Sequence, residues 1–197
     1  MDFYLALVVM CALTYVCLLP FVFFKDGTFN LAWLATASPY VSYLGVYILG
    51  LTDVIEPWQW PDPAKNILEV AGFGLAIAAI ILISLTIASH SVPLALWHQK
   101  NDAPESIVQH GPYSKVRHPF YTSFILILAG SFLVFPFWSV VITIYGITAL
   151  TLTAKKEEIK LSNSEFSEEY KIYMEKTGRF FPSWVLRWRR SNSAGAK

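Results

Sequence analysis

Residues 120–153 read FYTSFILILAGSFLVFPFWSVVITIYGITALTLT, a run of 34 residues without a charged side chain. As a single helix it would be about 51 Å long, against a bilayer hydrocarbon core of about 30 Å. Phe135-Pro136-Phe137 divides it into halves of about 16 residues, because proline removes a backbone donor and clashes with the preceding turn. The run therefore predicts a hairpin of two short helices, which need not both cross fully. Ala129, Gly130, Ser131, Gly146 and Ala149 are small enough to let the two approach closely.

Working outward, the other gaps between charges have the same character. Residues 3–24 and 28–52 are uncharged runs separated by Lys25-Asp26-Gly27, which predicts a tight helical hairpin, and residues 70–89 form a further span of 20. Pro39 inside the second run predicts a kink or break. Residues 3–24 have neither a basic leading segment nor a small-residue cleavage site, so they read as a retained helix and not a signal peptide. The composition agrees: 55% hydrophobic and 15% charged, where a soluble domain carries about 25% charged residues. High apolar content with a net charge of +1 excludes disorder, and no basic recognition module suggests a nucleic-acid partner. Cys11 and Cys17 lie about 9 Å apart on a helix, too far to bridge.

Five spans allow an orientation test. With the Lys25 turn, the 98–119 loop and the C-terminal segment on one side, that side holds 14 of the 15 lysines and arginines, leaving only Lys65 opposite. The positive-inside rule then places the N-terminus outside and the C-terminus in the cytoplasm. Trp58, Trp60 and Trp97 fall where interfacial aromatic belts are expected. The fold class is thus all-α: a polytopic membrane protein of about five transmembrane helices, the last two a short hairpin, plus a cytoplasmic C-terminal helical segment. We divide the single domain 1–197 into three N-terminal spans (1–97), a cytoplasmic-facing part (98–182) and an interfacial tail (183–197) with Trp184, Arg187, Trp188, Arg189 and Arg190 as headgroup anchors.

Chemistry concentrates in the middle part. Pro119 suits the first position of a helix, so His118 and Arg117 would flank a helix N-terminus able to receive an anion. On charge pattern alone, Lys115 and Arg117 read equally as translocation stops and His118 as an interfacial side chain. Glu157 and Glu158 sit just beyond the last apolar run, either as acceptors for an ammonium or hydroxyl or as a solvated pair beside Lys155 and Lys156. Ser162 and Glu165 form a capping-box pattern. Phe166, Tyr170, Tyr173 and Met174 then share a helical face that ends near Gly178, and that face covers either the membrane surface or a pocket. Gly72-Phe73-Gly74 reads as helix packing rather than a nucleotide loop. His90, His98 and His110 have no metal-ligand spacing.

Taken in order, Gly111-Pro112-Tyr113, Arg117-His118-Pro119-Phe120-Tyr121, Glu157-Glu158 with Leu161, Tyr170 with Tyr173, and Thr177-Gly178-Arg179-Phe180-Phe181-Pro182 resemble the isoprenylcysteine carboxyl methyltransferase and phospholipid methyltransferase superfamily. The resemblance covers residues 106–182 and says little of substrate. It implies an S-adenosylmethionine site on the cytoplasmic face, with a lipophilic or lipidated acceptor arriving sideways from the bilayer. It implies Arg117, His118 and Glu158 as catalytic residues. It implies Tyr113, His118, Pro119, Tyr121, Glu157, Glu158, Arg179, Phe180 and Pro182 as cofactor-binding residues, with no metal. Departures from the family pattern are Ser123 where glycine is usual, Phe166-Ser167 in place of a Phe-Gly pair, and Ala154-Lys155-Lys156 where an arginine commonly precedes the glutamates. The competing readings are an NADPH-dependent membrane sterol or enone reductase and a non-enzymatic membrane scaffold. The partners expected are membrane lipids and the lipophilic substrate, and the sequence leaves the acceptor, the membrane and the oligomeric state open.

Overall fold

The computed structural model describes residues 24–25, 27–55, 60–89, 106–134 and 136–184. The described chain is predominantly helical, as the composition predicts: α1 (Leu31–Leu51), α2 (Ala64–Ala88), α3 (Pro119–Val134), α4 (Pro136–Ser162) and α5 (Ser167–Lys176). A 3-10 turn at Gly111–Ser114 precedes α3. The Lys25 turn carries β1 (Phe24–Lys25) paired antiparallel with β2 (Thr28–Phe29), so a two-residue β-ladder occupies the predicted helical turn. The predicted span at 3–24, along with Trp58, His90, Trp97, His98 and the arginines of the 183–197 tail, lies outside the described residues, apart from Phe24.

Three expectations change. α1 runs unbroken through Pro39, whose ring is fully buried; packing of the ring against Gly146 offsets the one lost helix bond. The hairpin divides at residue 135 as expected, giving α3 16 residues, but α4 has 27 and is not short. Ala154, Lys155, Lys156, Glu157, Glu158, Lys160 and Leu161 are all good helix formers, so the helix continues past its apolar part. Consequently Ser162 ends α4 and does not cap α5. Ser164 turns the chain instead, its hydroxyl donating to Leu161 O at 2.8 Å and accepting from Phe166 N at 3.2 Å.

α2 is the one helix among the described residues long and apolar enough to cross a membrane, with a mean hydropathy of 2.5. It begins six residues before the predicted span, taking in Lys65 and Glu69, an i,i+4 pair at 4.0 Å. Val141 and Ile144 on α4 are 71% and 63% exposed, and aliphatic side chains left bare on this scale suit a lipid surround.

The chain divides into two compact units, 1–81 with 123–151 and 82–122 with 152–197. In the first, Gly72 of α2 meets Gly130 of α3 so closely that a Cβ on either would stand 2.6 Å from the other's carbonyl oxygen. The Gly72-Phe73-Gly74 stretch is thus a helix-packing element, and Gly130 serves α2. Gly146 of α4 seats Leu128 of α3 and Pro39 of α1. Polar links among the described residues include Tyr43 hydroxyl with Thr143 Oγ1, Ser38 Oγ donating to the Tyr145 hydroxyl at 3.3 Å, and Trp60 Nε1 donating to Leu133 O at 2.7 Å. The second unit holds the 3-10 turn, the first turn of α3, the end of α4, α5 and the following tail, and with them the motif residues from Gly111 to Tyr121 and from Glu157 to Pro182.

Candidate functional site

Pro119 opens α3 and is fully buried, as its fixed φ and missing donor favour. The first turn closes with Thr122 N donating to His118 O at 2.8 Å. The Thr122 hydroxyl lies 2.9 Å from His118 O and 3.1 Å from Phe180 O, which ties the helix start to the tail. The tail lies alongside the residues before the helix. Val116 and Gly178 form a parallel bridge, Arg117 N donates to Gly178 O at 2.8 Å, and His118 N donates to Arg179 O at 3.1 Å. A Cβ at position 178 would run into the Phe181 carbonyl, so the backbone path there requires glycine. α5 supports this strip from one side, with Tyr170 and Tyr173 buried and the Tyr173 hydroxyl donating to Tyr113 O at 2.7 Å. The apolar face read from the sequence therefore covers the 113–117 strip.

Into this frame the end of α4 brings two carboxylates. Glu158 accepts from Arg117 Nε at 2.9 Å through one oxygen, and from Arg179 Nε at 3.0 Å and Arg179 Nη2 through the other. Arg117 also donates through Nη1 to the carbonyls of Thr177 and, at 3.2 Å, Met174. Glu157 accepts from the Tyr121 hydroxyl. Between the carboxylates lies His118, its Nδ1 3.4 Å from Glu157 and its Nε2 3.3 Å from Glu158. Nε2 is buried and close to Glu158 without hydrogen-bond alignment. The imidazole stacks on Tyr121 at 5.5 Å and 14°, with Phe180 tilted at 6.1 Å.

The charge states follow. Burial pushes the His118 imidazole down, but the two facing carboxylates outweigh it and hold its pKa above the ordinary 6.5. Burial pushes Glu158 up, but His118, Arg179 and Arg117 outweigh that and hold its carboxyl well below 4.5. Burial raises Tyr113, Tyr170 and Tyr173, keeping them neutral donors. The site is an imidazole held between two carboxyl groups and walled by aromatic rings.

Arg117, His118, Pro119, Tyr121, Glu157, Glu158, Arg179 and Phe180 are thus assembled in one place, with the Tyr113 carbonyl anchored beside them. Pro182 is half-buried further along the tail and enters none of these bonds. Lys155 and Lys156 form no ion pair among the described residues, so the glutamates are not a solvated pair with them. Tyr173 and Thr177, which stand in the quoted motifs without a site role, hold the frame. Thr122 does so too, and its signal, a hydroxyl one helical turn from a motif residue, is too common to read.

The site's motifs can now be set against known proteins. Residues 70–163 carry the signature of the isoprenylcysteine carboxyl methyltransferase (ICMT) family. The ICMT match runs from within α2 to just beyond α4 and takes in Tyr113, Arg117, His118, Pro119, Tyr121, Glu157 and Glu158, while Arg179, Phe180 and Pro182 fall after it. No curated protein and no solved structure gives a significant match. The matched family is, by its name, one of methyltransferases, and α2 within the match is long and apolar enough to cross a membrane.

Proposed function

We propose that the protein is an integral membrane methyltransferase that uses S-adenosylmethionine to methylate a lipophilic acceptor at the cytoplasmic face. The observation that carries this reading is the buried His118 imidazole held between Glu157 and Glu158 inside the ICMT-matched segment. In the same reading the chain spans the bilayer about five times, with the N-terminus outside, which the lopsided distribution of lysine and arginine supports.

The residues suit such a cofactor. Its methionine end carries a carboxylate and an ammonium, for which a protonated His118 and the Glu157 carboxylate would be matched partners. Its sulfonium favours aromatic faces, which Tyr121 and Phe180 provide around His118. Bound there, it would supply an already activated methyl group. The chain's own part is positioning and exclusion of water. Glu158 and Arg117 set the place of His118 and of the tail, and Arg179 closes the cluster. A carboxylate acceptor needs no base; an amine, hydroxyl or thiol acceptor must lose a proton, and the protein's base is not assigned.

Calorimetry on the purified protein in detergent tests this directly. S-adenosylmethionine should bind, and His118→Ala and Glu157→Gln should each weaken binding about tenfold or more, the worth of one charge-assisted hydrogen bond. Unchanged affinity in both variants would overturn the site assignment, and binding of NADPH in place of S-adenosylmethionine would indicate a reductase. Incubation of membranes with methyl-labelled cofactor should label a lipophilic product, whose identity names the acceptor.

A further inference from the structure

A second feature of the 82–122 and 152–197 unit lies beside the carboxylate cluster. Lys155, Glu158, Ile159 and Ser162 share one face of α4 at helical spacing, and with Asn163 and Arg179 they line an open pocket of about 420 Å³. Met174 of α5 completes its wall.

The hydrogen-bonding capacity of this pocket is one-sided. Glu158 is its only acid, and that carboxylate already serves Arg117 and Arg179. Arg179 spends Nε and Nη2 on Glu158, which leaves Nη1 uncommitted. The Lys155 ammonium, Ser162 hydroxyl and Asn163 amide make no bond among the described residues. Two cations and two neutral donors thus border a mainly apolar pocket with no free carboxylate beside them, a lining that suits an anionic group carried on an apolar molecule.

Position and shape narrow the anion. Lys155 is the second residue after the uncharged run 120–153, the depth at which headgroups meet a spanning helix. Ile159, 61% exposed, and Met174 add an apolar border. The volume also exceeds what a lone phosphate fills. We infer that this pocket holds the phosphate of an anionic lipid headgroup, with Lys155 and Arg179 as cationic partners and Ser162 and Asn163 as donors. The inference rests on the membrane part of the function proposed above and not on the identity of its cofactor.

The test uses the full chain in neutral detergent, titrated calorimetrically with monomeric dihexanoyl phosphatidic acid, dihexanoyl phosphatidylcholine and inorganic phosphate. Phosphatidic acid should bind about tenfold more tightly than either of the others. Lys155→Ala should lose about tenfold in that affinity, the equivalent of one charged hydrogen bond. Lys156→Ala, its exposed neighbour outside the pocket, should lose none. S-adenosylmethionine affinity, measured in parallel, should be unchanged in Lys155→Ala. Inorganic phosphate binding as tightly as the lipid would overturn the lipid assignment. Equal losses in the two lysine variants would show diffuse surface charge, and absence of phosphatidic acid binding would end the proposal outright. Failure to bind S-adenosylmethionine with lipid binding intact would instead count against the enzyme reading alone.

Discussion

Glu158 accepts from two arginines that stand 41 residues before it and 21 after it. Its side chain is 8% exposed and that of Arg117 10%, so removing the carboxylate strands a buried guanidinium. Glu158→Gln should therefore lower stability by about 3 kcal/mol, read as a reduced midpoint in detergent, whereas Glu157→Gln should cost much less. The ionisations also set a pH window. The raised pKa of His118 contributes stability that is complete below 6.5 and is lost as pH climbs through its folded value. The depressed pKa of Glu158 contributes stability that is present above 4.5 and is lost as pH falls through its folded value. Maximal stability should accordingly lie between these limits, and His118→Gln should flatten the alkaline decline while leaving the acid limb in place. A pH series of thermal midpoints decides both. None of this pairing was legible from the sequence. Glu158 sits beside Lys155 and Lys156 in the chain, and only tertiary structure brings it Arg117 and Arg179.

At the scale of elements, the reading succeeded where one residue type has a single consequence. Pro119 starts α3, and the break at residue 135 separates α3 from α4. The buried face of α5 carries Tyr170 and Tyr173 as the helical period requires. It failed where local signals compete. The Ser162 and Glu165 pattern resembles a cap, but the strong helix formers from Lys155 to Leu161 carry α4 through Ser162 first. Pro39 resembles a break, but packing against Gly146 keeps α1 whole. The Gly72 and Gly130 crossing offers a prediction of its own. Gly130→Val should force α2 and α3 apart at a cost of about 1–3 kcal/mol, seen as a lower midpoint. Gly74→Ala, with nothing within 4 Å of its Cβ, should be neutral.

For the whole molecule, charge asymmetry makes a prediction independent of any contact. With native Cys11 and Cys17 replaced, single cysteines introduced at Lys65 and at Lys171 should react with impermeant reagents from opposite sides of the membrane. Labelling of both from one side would overturn the five-span topology. Of the predicted spans, the one at α2 was legible because a bilayer imposes length and apolarity on sequence directly. The site was legible only as an ordered set of motifs, since its geometry depends on strips distant in the chain.

That distance has a bearing on biogenesis. The bonds from Arg117 to Met174 and Thr177, and from Tyr173 to Tyr113, close loops of 57 to 60 residues. At translation rates of 5–20 residues per second, about 3–12 s separate synthesis of Arg117 from that of the tail that receives it. Throughout that interval Arg117 lacks its carbonyl partners and Glu158 lacks Arg179. The nascent chain thus passes through a state in which its charged cluster is still open. A chain halted before Thr177 would persist in that state.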